Sequence, residues 1–138
     1  MQRLEDIEAL RQLKYRYFAA ADDNYDADAV AALFTEDGVW DGGDLSRYEG
    51  RAAIRESFNS VKFSVQLALH YGTNPIIQVT GDEAACRWYL WLPKISTDGA
   101  HRRIQVGAYI DRCRRQGEHW LFDWMQLDLR RLPPVEEE

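Results

Sequence analysis

Apolar residues recur at steps of three and four from the start of the chain: Leu4, Ile7, Leu10, Leu13 and Tyr17. That spacing predicts an amphipathic helix over 3–21, because an α-helix brings such positions onto one face. The acidic run Asp22-Asp23-Asn24-Tyr25-Asp26 interrupts it. Asp26 can then cap a second helix, with Asp28 favourably placed in its first turn and Val30, Leu33 and Phe34 on its buried face. Thr35-Glu36-Asp37-Gly38 reads as a turn leading into a short strand at Val39-Trp40-Asp41. After the loop at 42–50, Ile54, Phe58 and Val61 mark a third helix of about ten residues.

From Ser64 the period changes to that of extended chain. Segments near 65–79, 84–95, 102–114 and 118–129 are rich in Val, Ile, Tyr, Trp and Phe, which favour strands. Thr80-Gly81-Asp82, Ser96-Thr97-Asp98-Gly99 and Gln116-Gly117-Glu118 separate them. Connections this short imply an antiparallel meander, since parallel neighbours need long crossovers. Three helices followed by a meander predict an α+β domain, its helices packed on one face of a curved sheet. The chain contains no internal repeat or linker, so a single domain is expected over 1–132, with a disordered acidic tail at 133–138.

Composition narrows the function classes. A net charge of −6 weighs against nucleic acid as the partner. Arg102, Arg103, Arg112, Arg114 and Arg115 lie close together, which predicts a solvated hairpin surface or a subunit contact. Cys86 and Cys113 have no metal-ligand spacing and read as buried free thiols in a reducing compartment, so no metal is expected. No nucleotide fingerprint or phosphate loop appears, and no cofactor is expected. Nothing approaches the length of an apolar membrane span, and a cytoplasmic protein is expected. Five Trp, seven Tyr and five Phe are enough to line a cavity, although aromatic residues on strands more often form core.

The stretch Leu69-His70-Tyr71-Gly72-Thr73-Asn74-Pro75 is unlike the other strands. Thr and Tyr suit a strand, whereas Gly, Asn and Pro weaken one unless it bends or bulges. His70 lies between apolar Val65, Leu67 and Leu69 on one side and Ile76 and Ile77 on the other, so burial is predicted. Such a histidine is either a core residue satisfied by a backbone carbonyl or a general base. A base needs an orienting acid, and the candidates cluster at 22–26, where the first helix ends.

The segments DDNYDADAVAALFTEDGVW (22–40), YEGRAAIRESF (48–58), HYGTN (70–74) and GAYIDRCRRQGEHWLF (107–122) carry a resemblance covering nearly the full length. On these segments the chain resembles the SnoaL-like branch of the nuclear transport factor 2-like superfamily. The resemblance implies a cone-shaped fold with three N-terminal helices on a strongly curved, mainly antiparallel sheet. Within the superfamily the chain is similar to the scytalone dehydratases and the hexachlorocyclohexane dehydrochlorinases. Both use a His–Asp dyad to take a proton from carbon while a leaving group departs.

HYGTN resembles the catalytic-histidine segment of the dehydrochlorinases, which implies His70 as the base. Counting back from Phe34 puts Asp23 on the dyad acid. Asp22 falls where scytalone dehydratases carry a tyrosine, and a slip of one residue would exchange the two. Trp88 stands where scytalone dehydratases have a second pocket histidine. Phe18, Ala68 and Met125 match the additional pocket lysine, cysteine and arginine of the dehydrochlorinases. The leaving-group machinery of both is therefore absent.

If His70 and Trp88 point inward, strand alternation also turns Gly72, Cys86, Leu90, Gly107 and Tyr109 inward. Tyr17, Phe18, Asp22, Trp40 and Phe58 would complete the pocket. The implied activity is that of a cofactor-independent lyase or isomerase, of dehydratase or polyketide cyclase type. Its substrate would be a small apolar, polycyclic or aromatic molecule, and the protein a homodimer or homotrimer. The alternatives are a non-catalytic small-molecule-binding protein and a structural subunit like the small subunit of ring-hydroxylating dioxygenases.

Overall fold

The computed structural model describes residues 2–44 and 46–131, and the expected tail at 133–138 lies outside the described residues. Helix α1 (Gln2–Asp22) is followed by the short α2 (Ala27–Ala31), strands β1 (Phe34–Asp41) and β2 (Arg47–Glu49), and helix α3 (Arg51–Val61). The rest is sheet: β3 (Val65–Ala68), β4 (Tyr71–Thr80), β5 (Glu83–Ser96), β6 (Arg102–Gln116) and β7 (His119–Arg131). This is the α+β architecture expected. No helix among the described residues is long and apolar enough to cross a membrane.

Strand order is β2-β1-β7-β6-β5-β3, with β4 also paired to β5. Neighbours are antiparallel except β1 and β7, which run parallel. The sheet curls around its concave face. Gly107 accounts for part of the bend: a Cβ there would lie 2.1 Å from the Asp128 carbonyl oxygen, so only glycine lets β7 approach so closely. Alternation along β5 turns Cys86, Trp88, Leu90 and Leu92 into the concave side, opposite Asp111, Tyr109, Gly107 and Gln105 of β6. The core fills that hollow with Leu10, Leu13, Tyr17 and Phe18 of α1, Val30 of α2, Ile54 and Phe58 of α3, and Phe122 and Met125 of β7.

Three local expectations are corrected. Thr35-Glu36-Asp37-Gly38 is not a separate turn but lies within β1, where the five steps from Phe34 to Val39 oppose two steps of β7. The extra residues bulge out of the ladder, which is why their types read as a turn. For the same reason Phe34 opens β1 rather than closing α2, which ends at Ala31. Within the expected loop, Arg47-Tyr48-Glu49 pairs with β1 as β2.

Helix α1 departs from its simple apolar stripe. Leu4 is exposed, whereas Asp6 and Lys14 are buried. Asp6 accepts from Trp120 Nε1 at 3.3 Å and meets Arg115 at 2.8 Å, and that guanidinium holds its carboxyl below the usual range. Arg115 also pairs with Asp82, tying β6 to α1 and to the β4–β5 turn, while Arg114 pairs with Asp123 across the β6–β7 hairpin. Asp26 caps α2 as expected, accepting from Ala29 N at 3.2 Å. Cys86 and Cys113 are buried and free.

Candidate active site

Strands β3 and β4 run one after the other along β5: Ala68 faces Lys94 and Tyr71 faces Trp91. Between them the edge breaks. Leu69 N still donates to Pro93 O at 3.1 Å, but His70 leaves the ladder. Its backbone N–H donates instead to Asp22 Oδ1 at 2.9 Å, and its Nδ1 lies 2.7 Å from the same oxygen. One carboxylate thus satisfies an orphaned backbone donor and grips the ring. The irregular residues downstream form a bulge: pairing with β5 shifts between Thr73 and Ile76, where Asn74 takes a left-handed φ of 55° just before Pro75.

The acid on His70 is Asp22, not the expected Asp23. Helix phase gives the reason. Lys14, Phe18 and Asp22 follow one another at intervals of four, on the stripe of α1 that faces the sheet. Asp23 is turned about 100° further round and is exposed. There it borders a cavity of about 340 Å³ together with Asn24, Asp26 and Lys62. Asp22 ends a helix, where the macrodipole disfavours a carboxylate, so His70 rather than the helix accounts for its position.

With Nδ1 donating to Asp22, the neutral imidazole carries its lone pair on Nε2. That nitrogen makes no hydrogen bond among the described residues, and only 5% of the side chain is exposed. Phe18 stacks on the imidazole at 5.8 Å and 19°, while Tyr17 and Tyr25 meet it edge-on at 6.4 and 6.3 Å. Gly72 makes the stacking possible, since a Cβ there would lie 2.2 Å from Phe18 Cε2. Tyr25 holds a left-handed φ of 52°, a costly conformation for a residue with a Cβ, and packs against Phe58 as well as His70.

The other expected pocket residues gather in the same place. Tyr17 meets Phe18, Phe58 and Tyr109; Phe18 meets Trp88; and Trp40 packs on Phe58 and donates from Nε1 to the Tyr17 hydroxyl at 3.2 Å. Tyr17, Phe18, Phe58, Trp88 and Tyr109 are buried. They pack on one another as core rather than standing around an open hollow, because Phe18 fills the space left by Gly72.

Beneath this cluster lies a charged pair that the sequence reading missed. Lys14 Nζ sits 3.0 and 3.2 Å from the two oxygens of Asp111 and 3.5 Å from the centroid of the Tyr109 ring. Burial pushes the Lys14 ammonium down and the Asp111 carboxyl up, against their mutual attraction. Burial likewise pushes the Tyr17 hydroxyl up to about 12 and Tyr109 well above its ordinary value, so both stay protonated at neutral pH. The signal was available: Lys14 interrupts the apolar stripe between Leu10 and Phe18, and Asp111 shares strand parity with Tyr109. Among the described residues, no three His, Cys, Asp or Glu side chains come together to hold a metal ion.

The family model for the SnoaL-like domain matches residues 2–126. The chain belongs to the SnoaL-like family. Among solved structures, this SnoaL-like chain is 33% identical to a protein from Novosphingobium aromaticivorans designated an aromatic ring hydroxylase. That match covers 96% of this chain and 93% of the other, with a TM-score of 0.84. A protein designated a scytalone dehydratase from the same organism is 21% identical, covering 99% and 97% of the two chains, with a TM-score of 0.86. The hexachlorocyclohexane dehydrochlorinase LinA-type3 from Novosphingobium barchaimii is 18% identical, covering 96% and 92%, also with a TM-score of 0.86. The last two likenesses are of fold. Among curated proteins, none matches the chain.

Proposed function

We propose that this SnoaL-like protein is a cofactor-independent lyase or isomerase in which His70 takes a proton from carbon. The single observation that carries this reading is the 2.7 Å contact between His70 Nδ1 and Asp22 Oδ1. Asp22 fixes the tautomer that leaves Nε2 as the base and stabilises the imidazolium once it forms. The substrate is small and mostly apolar or aromatic, in keeping with the rings of Tyr17, Phe18 and Tyr25 around the imidazole. Because Phe18 covers the imidazole face, the substrate either reaches Nε2 at the ring edge or displaces that phenyl group. Tyr17 or Tyr109 supplies a protonated hydroxyl to an oxygen that gains negative charge. The designations of the two fold neighbours, a scytalone dehydratase and a dehydrochlorinase, are in keeping with proton removal from carbon.

Nitrobenzisoxazole is a direct probe, because removal of its carbon-bound proton breaks the N–O bond and releases a coloured phenolate. His70→Ala and Asp22→Asn should each lose about 10²–10⁴-fold in the rate of this reaction, with Asp23→Asn close to the parent. Equal rates for the parent and His70→Ala would remove the base.

A second reading has one observation in its favour: the relative at 33% identity is designated an aromatic ring hydroxylase. On that reading the chain is a non-catalytic subunit, and its outward sheet face meets a different protein. We favour a second copy of the chain on that face, in a homodimer or homotrimer. Tyr71, Trp91 and Val106 form one cross-strand row there, Ile76 and Ile110 flank Arg87 in another, and Tyr71, Trp91, Ile76 and Ile110 are exposed.

A further inference from the structure

A second cluster of charges outside the dyad and the Lys14–Asp111 pair lies on β5 and β6, where Lys94 is the cross-strand partner of Ala68, two residues before His70. Lys94 and Arg103 are direct cross-strand partners, and they share strand parity with the inward-facing Leu92 and Gln105. Like charges directly opposite one another are unfavourable in a sheet. Among the described residues no carboxylate pairs with either of them. Together they border a cavity of about 300 Å³ where β3, β5 and β6 meet, with Val65 and Ile95 as apolar wall and His101 at its edge.

We propose that this cavity binds a small organic anion, a carboxylate or phosphate ester on a compact apolar body, with Lys94 and Arg103 as its charged contacts. The donors are those two side chains. Ser96 and Ser64, which also line the space, already spend their hydroxyls on Asp98 and on the Val61 carbonyl. Asp98, which follows β5 in sequence, is held by Ser96 Oγ and by Ala100 N and lies 3.7 Å from His101; it forms no ion pair with either cation. Lys94 is half-buried, and burial first, then the charge of Arg103, hold its ammonium below the ordinary range. An anion seated between the two would screen the repulsion from Arg103 and give the half-buried ammonium a countercharge that offsets its burial. The space lies at the small end of ligand pockets and exceeds what a bare ion fills, and its apolar wall suits a short hydrocarbon or aromatic body.

Neither His70 nor Asp22 lines this cavity, and its test reads binding rather than proton removal. Benzoate and phenyl phosphate serve as probes, benzamide as the uncharged control and inorganic phosphate as the bare ion, each titrated into ¹⁵N-labelled full-length protein. At least one organic anion should bind with a Kd of about 1 mM or tighter and shift the amides of Val65, Ile95 and Ser96. Benzamide and inorganic phosphate should bind at least about tenfold more weakly. Lys94→Met and Arg103→Gln should each weaken the organic anion by about tenfold or more, while the variants stay folded with an unchanged or higher Tm, since each removes a like-charge opposition. The two anions separate planar from tetrahedral recognition.

Absence of saturable shifts at these amides with both anions would overturn the proposal. So would unchanged affinity in both variants. Inorganic phosphate binding as tightly as phenyl phosphate would reduce the site to an adventitious ion only and overturn the organic ligand.

Discussion

Replacing Lys14 with methionine tests how the core tolerates its one deeply buried pair among the described residues. The side chains of Lys14 and Asp111 are 1% and 0% exposed, and the ammonium lies 3.0 and 3.2 Å from the carboxylate oxygens. Lys14→Met keeps the aliphatic stem and strands Asp111 with no countercharge. Breaking a buried pair from one side costs about 3–5 kcal/mol, a third or more of the stability of many domains. Loss of the cation over the Tyr109 ring falls within that figure. With a urea slope of about 2 kcal/mol per molar, the unfolding midpoint should drop by about 2 M.

The acidity of Asp111 sharpens the test. Burial already raises its carboxyl above 3.8, and the variant removes the neighbour that pulls it down. Its folded-state pKa then lies above the unfolded one. The deficit is fully expressed above the folded value and shrinks as pH falls towards 3.8, by up to about 1.4 kcal/mol per unit. In Lys14→Met/Asp111→Leu most of the loss should return, because two apolar side chains leave nothing unpaired. A single-variant loss below about 1 kcal/mol, a deficit flat from neutral pH into acid, or additive effects in the double variant would each refute the reasoning.

Three further outcomes follow from other contacts. Gly72→Ala forces its new methyl against Phe18, and overpacking should cost about 1–3 kcal/mol by urea denaturation, with displaced ring-current shifts on the His70 side chain by NMR. Gly107→Ala should cost more than Gly72→Ala in the same assay, because the obstacle at 2.1 Å is a backbone carbonyl instead of a ring that can tilt. Trp91→Lys, on the outward sheet face, should lower the mass seen by sedimentation equilibrium if a second copy covers that face, and an unchanged mass would place the contact elsewhere.

The fold was legible wherever local pattern carries the information. α1 and α3 follow from period, and the long strands follow from residue type and from turns rich in Gly and Asp. β2 escaped because three residues, Arg47-Tyr48-Glu49, are too few to show alternation, and its pairing depends on a partner. The parallel contact of β1 with β7 joins segments more than eighty residues apart, which no local pattern records. At the site, His70 stood out through its neighbours, but Asp22 and Asp23 are chemically identical. Only helix phase separates them, and that phase is anchored by Lys14 and Phe18. The inward phase of Lys14 and of Asp111 could each be read from period, but that the two meet is a contact between residues 97 apart that only the folded chain brings about.

A single rod of backbone therefore sets three distances at once, holding an ammonium deep in the interior, a phenyl ring midway and a carboxylate at the rim. Deleting one amino acid between residues 15 and 17 would keep Lys14 in place yet swing the ring and the acid round by about a quarter turn. Mutational tolerance here should consequently be steep for changes of length and mild for exposed changes of identity, such as at Arg16 and Ala19.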